Sequence, residues 1–227
     1  LNVSSIIDMS WAESPQLRPH IGAILYAWHG GPDGSKAVAS LLCGDITPSG
    51  KLTDTIPSSL EDYPSTPCCG DSAQNIYQED IYVGYRYFET FRPQQVLYPF
   101  GFGLSYTRFA IHSLSMKRDI DNPLSFQITA KVDNVGERYA GSEVVQIYLE
   151  APQGQLGKPS RALVAFAKSR VLQPGEGETL TMTVTLEQLA SWDDSGATGN
   201  PNCWVLEAGV YRFWGGNSVR NLQPISM

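Results

Sequence analysis

Between Ile76 and Phe109 the chain places eleven aromatic residues in thirty-four positions: Tyr77, Tyr82, Tyr85, Tyr87, Phe88, Phe91, Tyr98, Phe100, Phe102, Tyr106 and Phe109. Each such side chain buries about 150–250 Å² when packed. A run this dense needs walls on more than one side. Gly84, Gly101 and Gly103 interrupt it, and glycine lets a backbone bend or approach where a Cβ would clash. Ile81, Val83, Tyr85 and Tyr87 alternate with Tyr82, Gly84, Arg86 and Phe88, which predicts a strand. The stretch reads as a packing ribbon between two units. The competing reading is a wall for sugar, because an aromatic face suits the apolar C–H face of a pyranose.

The two flanks differ in period. Residues 1–57 read as α/β. Ile21 to Trp28 is an apolar run of strand length, expected as a buried parallel strand. His29 to Gly34 is a turn, and Ser35 to Cys43 has helical spacing that stops at Gly44. Strand, glycine turn and helix form the end of an α/β/α sandwich. Asp45 to Asp71 is rich in Pro, Ser, Thr and Asp and predicts an irregular connection, with a short edge strand ending at Pro57. From Phe109 onward short strands are expected at Ser125–Val132, Glu143–Leu149, Ala162–Val171, Glu178–Leu186 and Trp204–Trp214. Turn signals at Asn122–Pro123, Asn134–Gly136, Pro174–Gly177 and Gly209 separate them, which predicts a β-sandwich. The expected fold class is therefore α/β followed by all-β. The expected divisions are an α/β part at 1–57, an extended aromatic linker at 58–108, a β-sandwich at 109–221 and a tail at 222–227.

The 227 residues, 42% hydrophobic and 17% charged, suit one large or two small globular domains with a sizeable core. A net charge of −7 argues against nucleic acid or an anionic membrane as partner, and no apolar run has the length of a membrane span. No signal peptide is read, and the compartment stays open between cytoplasmic and secreted. Leu1-Asn2-Val3 reads as the inside of a strand, so the chain is expected to be a piece of something longer. Cys43, Cys68, Cys69 and Cys203 are too few for a disulfide scaffold. Cys43 is expected as a buried thiol, while pairing of Cys68 or Cys69 with Cys203 stays open. His20, His29 and His112 have no ligand spacing, so neither a metal nor a cofactor is expected.

Three motifs carry a resemblance. GGPDGSKAVASLLCGDITPSGKL (Gly30 to Leu52), EDIYVGYRYFET (Glu79 to Thr90) and LYPFGFGLSYTRF (Leu97 to Phe109) stand in this order. They resemble the C-terminal region of family 3 glycoside hydrolases, above all the β-glucosidases. Val132 to Gly136 and Leu172 to Glu176 resemble the fibronectin type III-like domain that closes many of these enzymes. The resemblance implies a retaining β-glucosidase acting on terminal β-D-glucosyl residues. Its active site would be shared with a (β/α)₈ barrel on another chain or segment, together with the rest of the α/β sandwich. Domain order and self-association into a homo-oligomer stay open. The alternatives are another family 3 specificity, such as β-xylosidase or N-acetylhexosaminidase, or a non-enzymatic module that binds carbohydrate or protein.

Glycoside hydrolysis needs two carboxyl groups flanking one bond, about 5–5.5 Å apart for retention. Glu79 and Asp80 are adjacent, and neighbours on a strand point to opposite faces, so a structural role is expected instead, one of them pairing with Arg86 or capping a nearby backbone group. The family's nucleophilic Asp sits in a Ser-Asp-Trp context on the barrel, whereas this chain offers Asp8-Met9-Ser10-Trp11. The family's acid/base Glu lies upstream of the Gly-Gly turn, and Glu13 has no matching motif. No catalytic residue is expected in this chain. Substrate-binding candidates are His29, Asp33 and Glu79. His29 competes with an ordinary structural histidine. The turn at Gly30–Gly34 lacks the P-loop order, since Ser35 precedes Lys36. Trp192, Trp204 and Trp214 are read as core, with a carbohydrate-binding face as the alternative.

Overall fold

The computed structural model describes residues 1–70 and 72–226. The N-terminal part opens with 3-10 turns at Ser10–Glu13 and Arg18–His20. Helix α1 spans Gly34–Cys43 and ends where the sequence predicts, on Gly44 at φ +81°. The amides of Gly44 and Asp45 close back onto the carbonyls of Leu41 and Ser40 at 3.1 and 2.9 Å, which satisfies groups a helix end leaves orphaned. Strand β1 (Ile56–Pro57) follows, then helix α2 (Tyr85–Phe91) and strand β2 (Val96–Tyr98). β1 and β2 pair antiparallel. The core here is small: Met9, Ala12 and Ile56, fringed by Trp11, Tyr26, Leu97 and Tyr98.

Several expectations for this part are corrected. Ile21–Trp28 is not a laddered strand. Its backbone bonds to Leu1, with the Ala27 amide on the Leu1 carbonyl at 2.8 Å and the Leu1 amine on the Leu25 carbonyl at 2.6 Å. A strand needs a neighbour about 4.8 Å away along its length, and the described residues supply one only at Leu1. Cys43 is exposed, not buried, because α1 buries no residue at all. All four cysteines are free.

The alternation at Ile81–Phe88 is misleading as well, since the second half of that segment is helix α2. Gly84 adopts φ +59°, ψ −126°, a conformation closed to L side chains, and this stops the extended chain. The amides of Tyr87 and Phe88 then turn back onto the Gly84 carbonyl at 3.1 and 3.2 Å. Nearly every position there is bulky and apolar, so periods of 2 and 3.6 fit equally well.

The C-terminal part is a β-sandwich. β3 (Phe109–Arg118), β4 (Ser125–Asn134), β5 (Val144–Glu150), β6 (Ala162–Lys168) and β7 (Gly177–Thr185) come first. A short ribbon of β8 (Ser191–Asp193) and β9 (Cys203–Val205) follows, then β10 (Arg212–Gly216) and β11 (Leu222–Pro224). One sheet has the order β3-β4-β7 and the other β11-β10-β5-β6, with every pairing antiparallel. Ile128, Ala130, Val132, Val145, Ile147, Leu180, Val184 and Phe213 close the core between the sheets. The fold is thus α/β followed by all-β. Trp204–Trp214 is two strands, broken where Gly209 presses on Pro152 at φ +155°. The expected tail carries β11, whose residues pair with β10 through Gly216↔Leu222.

Asn134 is the polar centre of the sandwich's lower end. It is fully buried. Its Oδ1 accepts from Thr107 Oγ1 at 2.6 Å and from the Gly136 amide at 3.1 Å, and its Nδ2 donates to the carbonyls of Tyr139 and Leu172 at 2.9 Å each. This explains the Asn134-Val135-Gly136 turn signal: the amide folds the turn onto the strand it leaves. Asn134→Ala strands buried partners, each costing about 1–3 kcal/mol when unpaired. A loss of about 2–4 kcal/mol is expected, read as a fall in the urea midpoint.

Candidate active-site wall

The residues singled out in sequence fall on two separate segments. Tyr26 and Trp28 meet at 4.7 Å between centroids with their planes tilted by 57°, and Trp28 has φ +54°, unusual for a bulky side chain. The Tyr26 hydroxyl donates to the Ser5 carbonyl at 2.8 Å. His29 and Asp33 are exposed on either side of the Gly30–Pro32 turn. A Cβ on Gly30 would lie 2.4 Å from Gly34 Cα, so the turn can close this tightly only around glycine. Asp33 precedes α1 without capping it through its side chain. Glu79 is half-buried in a different segment, followed by Asp80 at φ +51°. No hydrogen bond or ion pair joins His29, Asp33 and Glu79 to one another, and the expected pairing of Glu79 or Asp80 with Arg86 is not made.

The open cavities among the described residues include two lined by none of these candidates. One, of about 380 Å³, lies between β6 and β7 and is lined by Leu163, Phe166, Thr181, Met182 and Gln188, with no carboxylate. The other, of about 230 Å³, is lined by Tyr106, Arg108, Arg138 and Tyr139 and has Glu137 as its one carboxylate. Among the described residues no cluster of His, Cys, Asp or Glu could hold a metal ion.

The aromatic ribbon and the glycine motifs meet at one junction. In Pro99-Phe100-Gly101-Phe102-Gly103, the two glycines serve opposite neighbours. Gly101, at φ +78°, lies against the sandwich: a Cβ would fall 2.2 Å from Gln146 Oε1. Gly103 lies against the α/β part, where a Cβ would fall 2.4 Å from the Gly50 carbonyl oxygen. Lys51, next to Gly50, donates to the Gly103 carbonyl at 3.3 Å and pairs with Glu143 of the sandwich at 2.6 Å. Tyr85 of α2 stacks on Phe100 at 4.6 Å, meets Tyr148 of β5 edge-on at 6.1 Å, and accepts the Leu163 amide of β6 at 2.8 Å. On the other side Phe88 meets Tyr63 at 5.5 Å. Arg220 holds Glu89 at 2.8 Å. The ribbon thus touches β5 and β6 of the sandwich through Tyr85 and the segment before α2 through Phe88.

The same motifs decide the family. A profile described as the glycosyl hydrolase family 3 C-terminal domain matches residues 1–106, and one described as a fibronectin type III-like domain matches residues 143–219. The chain belongs to glycoside hydrolase family 3. It is 49% identical over 221 residues to a β-glucosidase of Ruminococcus albus, covering 97% of this chain and 22% of that protein. To β-glucosidase A of Butyrivibrio fibrisolvens it is 42% identical, covering 97% and 28%. Among solved structures, a β-glucosidase from Paenibacillus barengoltzii aligns with TM-score 0.95 at 52% identity over 100% of this chain and 24% of that one. β-Glucosidase 3B from Thermotoga neapolitana in complex with glucose aligns at 0.84 and 38%, covering 98% and 29%. This family 3 chain therefore spans about a quarter of the length of such relatives.

Sequence reasoning missed the Lys51–Glu143 pair and the role of α2. Lys51 stands inside a quoted motif, but its partner lies ninety-two positions away, and nothing local marks the contact. It also read Trp192 and Trp204 as core, whereas both are exposed.

Proposed function

We propose that this chain is the C-terminal portion of a retaining β-glucosidase that releases terminal β-linked glucose. On this reading it supports the wall of a pocket completed by a (β/α)₈ barrel, and it contributes none of the reacting carboxylates. One observation carries the reading: the two parts of the chain are unequally finished. The sandwich closes a full core of its own, whereas helix α1 buries nothing and Leu42 is 72% exposed. Leu17 and Ile46 are exposed in the same part, and Ile76 and Val83 in the segment that follows it. An apolar helix face in an α/β layer packs against a sheet, so a surface of this kind supports a further layer of protein over it. His29 and Asp33 are exposed on the turn that leads into α1, and on this reading they and Glu79 are the residues of this chain proposed for a sugar-binding role.

The test uses the intact polypeptide that carries this chain, assayed on nitrophenyl glycosides. Hydrolysis of the β-glucoside in preference to the β-xyloside and the N-acetyl-β-glucosaminide is expected, with β-glucose as the first-formed anomer by NMR. The 227-residue chain alone is expected to be inactive. Preference for either competing sugar, or α-glucose as first product, overturns the reading.

A further inference from the structure

The β8–β9 ribbon inverts the usual alternation. Trp192 and Trp204 are register partners, so both indoles leave the same face of the ribbon. They are 48% and 60% exposed, with ring centroids 5.6 Å apart and planes at 70°. The next residue, Asp193, turns the other way and is fully buried. A half-buried ribbon ordinarily puts its apolar side chains inward and its charge outward.

The inversion is built and not a packing failure. The sandwich core closes without either tryptophan. Asp193 accepts from Ser195 Oγ, the amides of Gly196, Ala197 and Thr198, and Thr198 Oγ1, at 2.7–3.2 Å. These donors, Thr198 foremost, hold its carboxyl down to about 2. The loop joining the two strands is thereby fixed, and the rings stand on a rigid base. Rigidity matters because a surface already in its bound shape loses less entropy on binding.

The surroundings select the occupant. Residues 191–205 contain no Lys or Arg, so the ribbon offers nothing to an anionic polymer, and the arginine enriched in protein interfaces is missing. In the loop that joins the two strands Asp194, Asn200 and Asn202 are exposed, and Ser191, which opens β8, is half-buried. Large apolar ring faces on a ribbon that carries amide, hydroxyl and carboxylate groups match a ligand with C–H faces and hydroxyl edges. We propose that the Trp192–Trp204 pair is a surface binding site for a neutral β-glucan chain, one indole face stacking on a glucosyl ring. The stacking follows from the ribbon; the choice of β-glucan among neutral polysaccharides rests on the proposed function.

The test is affinity electrophoresis of the intact protein through gels containing soluble barley β-glucan. Retardation is expected, weakened at least about tenfold in Trp192→Ala/Trp204→Ala and largely kept in Trp192→Phe/Trp204→Phe. The kcat/KM on nitrophenyl β-glucoside should stay within about twofold in both, since a single glucoside needs no chain site. Should the alanine pair fail to fold, protection of indole fluorescence from iodide by cellopentaose in the unmodified protein decides: protection supports the site, its absence overturns it. No retardation of the unmodified protein, retardation only by chitin or mannan, or equal retardation of the alanine pair overturns the proposal. Equal retardation with a lowered Tm would make the rings a packing contact with another part of the protein. Glucan retardation without aryl β-glucosidase activity would sink the proposed function and leave this site standing.

Discussion

Lys51→Met in the intact protein is expected to destabilise the junction between the α/β part and the sandwich by about 3–5 kcal/mol. The Lys51 and Glu143 side chains are only 12% and 7% exposed and lie 2.6 Å apart. Removing the ammonium leaves a carboxylate in a place without water. Glu143 keeps its bonds from the Val144 amide at 2.8 Å and from Asn217 Nδ2 at 3.2 Å, but neither carries a full charge. The pair itself contributes less than its removal costs, because forming it took two ions out of water. The double variant Lys51→Met/Glu143→Gln is therefore expected to recover most of the loss. Denaturant unfolding of the single and double variants checks this. Equal destabilisation in both would show that Lys51 acts through its bond to the Gly103 carbonyl and not through the charge.

That pair also shows why the fold was partly legible in sequence and the junction was not. Helix α1 was readable because its stop signal, Gly44, acts within a few residues. β4 and β7 were readable because one face of each is more buried than the other, which writes a period of 2 into the sequence. The segment at Ile81–Phe88 was not readable by period, since apolar residues filled both faces. Its only local sign was Gly84, and a single glycine does not say whether a strand or a helix follows. The run at Ile21–Trp28 has the composition of a strand, but composition cannot supply the neighbour that a strand pairs with. The β8–β9 ribbon hid for the opposite reason: its pattern is clean, but inverted, and the large rings were assigned to the inside. The glycines of the Gly101–Gly103 motif were visible as glycines. Which surface each one admits became clear only when Gln146 and Gly50 were found beside them.

The candidate site divides in the same way. The fold places His29 and Asp33 on one turn because that turn is local in sequence. Glu79 joins them in no contact, and its segment is set by Gly84 and α2, not by the turn. In this chain the motifs of this family hold the contact between the α/β part and the sandwich, through Gly50, Lys51, Tyr85, Gly101 and Gly103.

The same contact fails from its other side when Phe88 is cut back. Phe88→Ala is expected to cost about 3–5 kcal/mol, the range for deleting a fully buried phenylalanine that leaves a cavity. Phe88 is 0% exposed, set edge-on to Tyr63 at 5.5 Å and to Tyr87 at 5.3 Å. Tyr63 in turn donates its hydroxyl to the Thr55 carbonyl, beside β1. The ring thus ties α2 to Tyr63, which stands between the 3-10 turns at Leu60–Asp62 and Thr66–Cys68. Tyr85, on the same helix, faces β5 and β6, so loosening α2 at Phe88 also frees the sandwich from the α/β part. Phe88→Leu keeps most of the volume and is expected to cost less than half as much. Hydrogen exchange separates this outcome from general unfolding. In Phe88→Ala the amides of Phe88 and Arg92, bonded within the helix, should lose protection, while those of β4 and β5 in the sandwich core keep theirs. Loss of protection throughout the sandwich would instead mean that the two units unfold as one and that α2 is not the hinge between them.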